Sequence, residues 1–166
     1  MKTTQPKIEE REEQPYMGIR TLTSMADMPD FIGQSLDEVF GWLSEQGITP
    51  AGAPILRLNV VNMEANMDIE VGVPVKESVT GTDRIKASVL PAGRYAFLIY
   101  TGVENGVAGN RVLIDWAKEN GIEWDRWDDE NGDAFRSRYE VLIDGPDDKP
   151  DPADWDNEVA IKIADD

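Results

Sequence analysis

The apolar and polar residues divide the chain into two similar series of elements. In the first series, a strand-like run over 16–23 precedes apolar residues spaced by three and four from Phe31 to Leu43, which indicate a helix. Strands over 55–61 and 67–75 follow, and the second shows apolar residues alternating with polar or small ones. The second series repeats this order, with strands at 94–101, 135–143 and 159–163 and a helix at about 107–120.

This repeated order predicts an α+β fold of two pseudo-symmetric strand-helix-strand-strand modules. We place the modules at 14–75 and 86–164 within a single domain over 14–166, with a further strand at 85–89. We expect the polar N-terminal arm over 1–13 to fray and residues 123–133 to form a polar loop. Two modules that pair their sheets leave a central groove, which is a usual location for a small-molecule site.

The composition excludes several classes of chemistry. Without cysteine or histidine, the chain has no disulfide, no thiolate nucleophile and no Ser-His or Cys-His pair. Its formal net charge of −17 opposes binding to nucleic acid and favours cationic partners. No run of about 20 apolar residues could span a membrane, and no secretory signal precedes the fold. We therefore expect a cytoplasmic protein with neither nucleic acid nor membrane as a partner.

Several segments share an order and spacing with a known family. They are WLSEQGITPAGAP at 42–54, IEVGVPV at 69–75, PAGRYA at 91–96 with YTG at 100–102, RYEVLIDGP at 138–146 and WDNEVAI at 155–161. Over roughly 14–164 the chain resembles the GyrI-like small-molecule-binding family, whose domain also serves as effector-binding domain in multidrug-responsive transcription regulators. Because no helix-turn-helix segment flanks the domain, we expect a free-standing member.

The resemblance nominates two acidic residues as ligand-binding. The characteristic acidic residue of the family matches Glu140, and a second acidic position on the last strand matches Glu158. By alternation, Glu140 lies on the strand face opposite Tyr139 and Val141. If those two side chains pack under a helix, Glu140 points into the groove, where it could meet an organic cation. The alternative is an ion pair with Arg138 on the same face.

Two aromatic residues are candidates for the groove wall. Tyr100 occupies a position that is often histidine in the family, and Trp116 lies on the second predicted helix, where core packing is the alternative. For Glu70 we favour a solvated strand face or a structural pairing with Arg57. The acidic run 125–133 does not fit an EF-hand, because ligand positions would fall on non-ligating side chains. We therefore predict no metal site and no cofactor.

We predict a protein that senses or sequesters cationic or amphipathic, drug-like small molecules. One alternative is a hydrolase of strained electrophilic small molecules in which Glu140 acts as the base. Another is an acidic protein inhibitor of a DNA-processing enzyme such as gyrase. We assign no catalytic residue, and binding without turnover is the favoured hypothesis.

Overall fold

The computed structural model describes residues 2–165 as one curled antiparallel sheet with two helices packed on one of its faces. The elements are β1 (Lys7–Arg11), β2 (Gln14–Thr23), α1 (Met28–Glu45), β3 (Ile55–Val61), β4 (Met67–Pro74), β5 (Lys86–Leu90), β6 (Gly93–Thr101), α2 (Gly106–Glu119), β7 (Arg126–Asp129), β8 (Gly132–Phe135), β9 (Arg138–Leu142) and β10 (Asp156–Lys162). Within residues 2–165, no helix is long and apolar enough to cross a membrane.

The sheet consists of two similar halves. Its strand order is β1-β6-β10-β9-β3-β4-β2-β5, so each module contributes a three-stranded unit, β3-β4-β2 or β9-β10-β6. The units join where β3 pairs with β9, with Ile55 opposite Val141. In sequence, α1 follows β2 and α2 follows β6, which is the first strand of each unit along the chain. The predicted α+β fold of two strand-helix-strand-strand modules is therefore confirmed.

The two ends of the sheet meet each other. β1 pairs with β6 and β2 pairs with β5, with Arg11 opposite Gly93 and Gln14 opposite Leu90. Because β1 leads directly into β2 and β5 into β6, this pairing curls the sheet. The helix-free face turns inward and encloses an apolar core. The buried members of this core are Tyr16, Ile55, Leu90, Tyr95, Tyr139 and Ala160.

The limits of α1 follow from its sequence. Pro29 in the first turn has no N–H that would need an acceptor, and the charge of Asp30 suits the positive end of the helix dipole. The helix ends before Gly47, which adopts a φ of +69° that favours glycine. Its apolar face, including Val39 and Leu43, is buried against the sheet.

Three expectations about the elements are corrected. The arm does not fray over residues 7–11, because β1 pairs with the edge of β6 that would otherwise stay open. The segment 123–133 is not only a loop, since β7 and β8 form a hairpin around the turn that contains Asn131 and Gly132. The strand expected over 135–143 is split, because β8 pairs with the end of β3 and β9 with its start.

Candidate functional site

A buried polar cluster lies between the sheet and α2. Tyr100 on β6, Glu140 on β9 and Asn157 on β10 are 2%, 8% and 7% exposed. Tyr100 lies opposite Asn157 and Glu140 lies opposite Val159, which places all three polar side chains on the face that packs against α2. The Tyr100 hydroxyl donates a hydrogen bond to the Glu140 carboxylate and accepts one of 3.1 Å from Asn157 Nδ2.

Glu140 is a buried carboxylate without an ionic partner. Among residues 2–165, no ion pair includes Glu140. Burial raises its pKa, against the opposing effects of the Tyr100 hydrogen bond, the charge of Arg138 and the side chain of Asn110. Burial and the neighbouring carboxylate in turn raise the pKa of Tyr100. Burial therefore disfavours the charged form of Glu140, and a nearby cation would oppose that effect.

Arg138 contacts the helix instead of forming the expected alternative ion pair with Glu140. Its Nη2 donates to Asn110 Oδ1 of α2 at 2.8 Å, and its guanidinium carbon lies 4.7 Å from the centroid of the Phe135 ring. Its buried Nε has no hydrogen-bond partner in the described part of the chain. Burial lowers the pKa of Arg138 to about 10. The guanidinium influences Glu140 through its charge without forming an ion pair with it.

Two glycines let α2 lie directly on the polar cluster. A Cβ added to Gly109 would lie 2.8 Å from Cδ1 of Tyr100, and one added to Gly106 would lie 3.3 Å from the Tyr100 hydroxyl. Each helical glycine also weakens its helix by roughly 0.5–1 kcal/mol relative to alanine. The side chain of Asn105 makes no capping hydrogen bond at the start of α2. The turns that cover Glu140 are therefore among the intrinsically weak parts of the helix.

The side chains of β9 do not face the directions that would place Glu140 in an open groove. Tyr139 and Val141 do not pack under a helix; they face the inward core of the curled sheet. Because side chains alternate along a strand, Glu140 faces α2 instead. The alternation is confirmed, but the condition that Tyr139 and Val141 pack under a helix is not met.

Glu158 does not join the polar cluster. It lies opposite Val141 of β9 and so on the helix-free face of the sheet. There its carboxylate accepts a hydrogen bond of 2.7 Å from Arg11 Nη1. The two acidic residues nominated from the sequence therefore lie on opposite faces and have different partners.

The remaining nominated residues lie in different surroundings. Trp116 packs, half-buried, against the apolar core under α2. Glu70 is neither solvated nor paired with Arg57: it is 9% exposed and accepts a hydrogen bond of 2.9 Å from Asn59 on the helix-free face. Asn110 and Asn157 were missed, because their places near Glu140 and Tyr100 depend on contacts between segments distant in sequence. Within residues 2–165 no group of three acidic side chains could hold a metal ion.

The helix-free face carries two cavities that do not border Glu140. One of about 400 Å³ lies between the β7–β8 hairpin and the strands β2, β3 and β4, with Arg57 and Trp127 in its wall. The other, of about 260 Å³, is lined by Arg11, Tyr95 and Tyr139 together with apolar side chains. Because Glu140 faces α2, neither of these cavities leads to it.

Comparisons with known proteins agree with this architecture. No curated protein matches the sequence. The C-terminal domain of EcmrR is similar in structure, with 21% identity, a TM-score of 0.76 and 98% of each chain covered. The chain spans only 58% of the longer EcmrR chain solved in an EcmrR–DNA complex. SAV2435 bound to tetraphenylphosphonium has 13% identity and a TM-score of 0.64, covering 97% of this chain and 94% of that one.

A hydrolase from Listeria innocua shares the fold at 10% identity, with a TM-score of 0.60 over 96% of this chain and 91% of that one. At such identities the structural matches establish the fold alone. The sequence match is more specific, because the model of the GyrI-like small molecule binding domain covers residues 4–164. The chain therefore belongs to the GyrI-like small-molecule-binding domain family.

Proposed function

We propose that this domain binds organic cations at Glu140 and thereby senses or sequesters cationic, amphipathic compounds in the cytoplasm. The observation that carries the proposal is a buried carboxylate that is hydrogen-bonded by a neutral hydroxyl and forms no ion pair among the described residues. An ionised carboxylate out of water is costly unless a cation meets it. A cationic ligand supplies the countercharge, and the Tyr100 ring adds an aromatic surface beside it.

Access to the carboxylate requires the first turns of α2 to move. Gly106 and Gly109 pack against Tyr100, so these turns cover the cluster in the present structure. Their glycines and the uncapped start lower the free energy needed to displace them. The ligand has to provide that free energy, which favours large apolar cations over small ones. SAV2435, which has the same fold, was solved with such a cation, tetraphenylphosphonium.

The direct test compares a cation with a neutral molecule of similar shape. Tetraphenylphosphonium and triphenylphosphine oxide are titrated into the wild type and Glu140→Gln and followed by calorimetry. Glu140→Gln keeps the shape of the side chain and removes its charge. We expect the cation to lose about 1.5–3 kcal/mol of binding free energy, as for the loss of a charge-assisted contact, and the neutral compound far less.

Glu70→Gln is the matched control. Glu70 is buried almost as deeply as Glu140, at 9% against 8% exposed, but it lies on the helix-free face and is held by Asn59. We expect this variant to bind tetraphenylphosphonium like the wild type. Equal losses for both ligands, or equal losses in both variants, would contradict a role for Glu140 in recognising charge.

Hydrolysis is a second candidate, and one observation favours it. Glu140 and Tyr100 share a hydrogen bond in a site removed from water, an arrangement that suits general acid–base chemistry. Styrene oxide is a suitable electrophilic probe. Formation of the diol by the wild type and its loss in Glu140→Gln would support turnover, whereas binding without product supports a sensor.

A further inference from the structure

Two buried residues of opposite charge lie on the same face of β9. Arg138 and Glu140 are 7% and 8% exposed. Because side chains alternate along a strand, both point toward α2, and their Cα atoms are about 7 Å apart. Among residues 2–165, no ion pair includes either of them. The face under α2 therefore carries one positive and one negative charge at a spacing that the strand fixes.

Arg138 has hydrogen-bonding capacity that the described residues do not use. Its Nη2 donates to Asn110, but its buried Nε has no partner within residues 2–165. Burial lowers the pKa of Arg138 and the charge of Asp133 opposes this, but that carboxylate is exposed and bonded to Arg126. A guanidinium holds a carboxylate through two parallel N–H donors that match its two oxygens. Arg138 is therefore suited to an oxyanion that comes from outside the chain.

Asn110 of α2 serves both charges in the present structure. Its Oδ1 accepts the hydrogen bond of 2.8 Å from Arg138, and its side chain limits the rise that burial causes in the pKa of Glu140. A carboxamide can serve both because it is neutral but has an acceptor end and a donor end. Its Nδ2 also donates to the Gly106 carbonyl at 2.8 Å, which ties the side chain to the first turn of α2. When these turns move, Arg138 and Glu140 lose the same partner together.

The balance of charge at the site distinguishes two kinds of ligand. A ligand with a positive charge alone meets Glu140 but also brings a second cation near Arg138, and two cations repel strongly out of water. A ligand that also carries a carboxylate meets both residues and leaves neither buried charge without a partner. The site therefore favours a ligand with both charges over a cation of the same size.

We propose that the ligands of this site are amphipathic zwitterions, whose cationic group pairs with Glu140 and whose carboxylate pairs with Arg138. The inference rests on the proposed function, since Glu140 has to receive a cation, and it adds a second charge at a defined spacing. The ligand takes the place of the Asn110 carboxamide when the first turns of α2 move. Arg138 then determines specificity, because it attracts the carboxylate of a zwitterion and repels a simple cation.

The first test compares three related ligands on the wild type by calorimetry. The zwitterion is triphenylphosphonium with a para-carboxybenzyl group, which holds its charges about as far apart as the two side chains. Its methyl ester has the same shape and only the positive charge. We expect the zwitterion to bind roughly tenfold to a hundredfold more tightly than the ester, as for an added charge-assisted contact. In the ortho-carboxybenzyl isomer the charges are too close to reach both residues, so we expect little gain.

Arg138→Gln separates recognition of charge from a structural role. The variant removes the charge and keeps a polar side chain. We expect the zwitterion to lose its roughly tenfold to hundredfold advantage, whereas the methyl ester should bind equally well or more tightly because the repulsion is gone. Loss of the contact between Arg138 and Asn110 also loosens α2, but that effect would shift the affinities of both ligands in the same direction.

Arg57→Gln is the matched control. Like Arg138, Arg57 has a buried Nε without a hydrogen-bond partner among the described residues. It lies opposite Tyr139 of β9, and so on the helix-free face, where its Nη1 donates to the Tyr16 hydroxyl at 3.1 Å. We expect this variant to keep the full preference for the zwitterion over the ester.

The outcomes separate this proposal from the binding of cations at Glu140. The zwitterion proposal is overturned if the wild type does not prefer the para-carboxylate, if the ortho isomer gains as much, or if Arg138→Gln or Arg57→Gln shifts both ligands alike. If the ester then still loses affinity in Glu140→Gln, the proposed function stands and only the second charge is wrong. If neither ligand depends on Glu140, both proposals fail. The comparison on the wild type needs no variant and decides the matter even if Arg138→Gln does not fold.

Discussion

The two helices cover sheet faces of different chemistry. Apart from Thr23, the buried sheet residues under α1 are apolar: Met17, Ile19, Leu56, Leu58, Met67, Ile69, Val71, Val73 and Val75. Under α2 the face is apolar at one end, where Leu98, Val159 and Ile161 meet Leu113. At the other end it carries the cluster of Tyr100, Glu140 and Asn157.

This difference separates a part that stabilises the fold from a part that holds a site. Burial of apolar surface contributes roughly 25 cal/mol per Å² to stability, so the face under α1 needs no further explanation. A buried carboxylate opposes folding unless its hydrogen bonds and charge are met. The two modules share an architecture, but only the second retains a buried carboxylate, Glu140, under its helix. This difference is the strongest structural argument for a ligand at Glu140.

The largest expected effect comes from filling the contact between α2 and the cluster. A Cβ at position 109 would approach two ring atoms and the Cβ of Tyr100 within 2.8–3.1 Å. Gly109→Ala should therefore lower the free energy of unfolding by about 1–3 kcal/mol, the usual penalty for overpacking. Urea unfolding at neutral pH measures it. Because the covering turns would be pushed from the cluster, tetraphenylphosphonium should bind more tightly to the variant.

An unchanged or raised stability of Gly109→Ala would mean that α2 adjusts without strain. The close contact of α2 with Tyr100 would then not be a difference between the two helices. If stability falls and tetraphenylphosphonium binds more weakly, the ligand does not enter beneath these turns. Both measurements on one variant are therefore needed.

The local elements could be predicted from the sequence because their causes are local. Alternating apolar residues gave the strand at 55–61, which the structure has as Ile55–Val61. The glycines at 47 and 121 marked the helix ends correctly, and both have a positive φ. The turn with Asn131 and Gly132 carried a hairpin signal of the same kind, but the acidic residues around it suggested a loop.

The arrangement of the site could not be predicted in the same way. Alternation separates Glu140 from Tyr139 but does not say which face a helix covers, because that depends on how the two modules pair. The hydrogen bond from Tyr100 to Glu140 spans β10, and the contact of Asn110 with Arg138 depends on the approach of α2. The attachment of β1 likewise required a partner strand more than 80 residues away in sequence.

A smaller effect is expected on stability when the charge of Glu140 is removed, and it should depend on pH. Burial raises the pKa of Glu140 above its ordinary value of 4.5. Between pH 4.5 and the raised pKa, the folded protein binds a proton that the unfolded chain has released. The free energy of unfolding therefore falls as pH rises through this range. The full penalty is limited, because the carboxyl group can stay protonated.

Glu140→Gln has no such titration. It should therefore be more stable than the wild type above the raised pKa and similar to it below pH 4.5. Urea unfolding of both proteins across this range checks the expectation. A difference that does not change with pH would show that packing, rather than charge, separates them, and the contrast between the two helix-covered faces would lose its electrostatic basis.

The smallest effect is expected on α1 and completes the contrast between the helices. Gly33 lies in α1, and a Cβ added there would meet no atom within 4 Å, unlike one at Gly109. Gly33→Ala should raise the free energy of unfolding by roughly 0.5–1 kcal/mol, because alanine restricts the unfolded chain and favours the helix. Affinity for tetraphenylphosphonium should stay at the wild-type value, since the α1 side of the sheet carries no part of the cluster. A change in that affinity comparable to the change in Gly109→Ala would mean that helix stability in general, and not the covering of Glu140, controls binding.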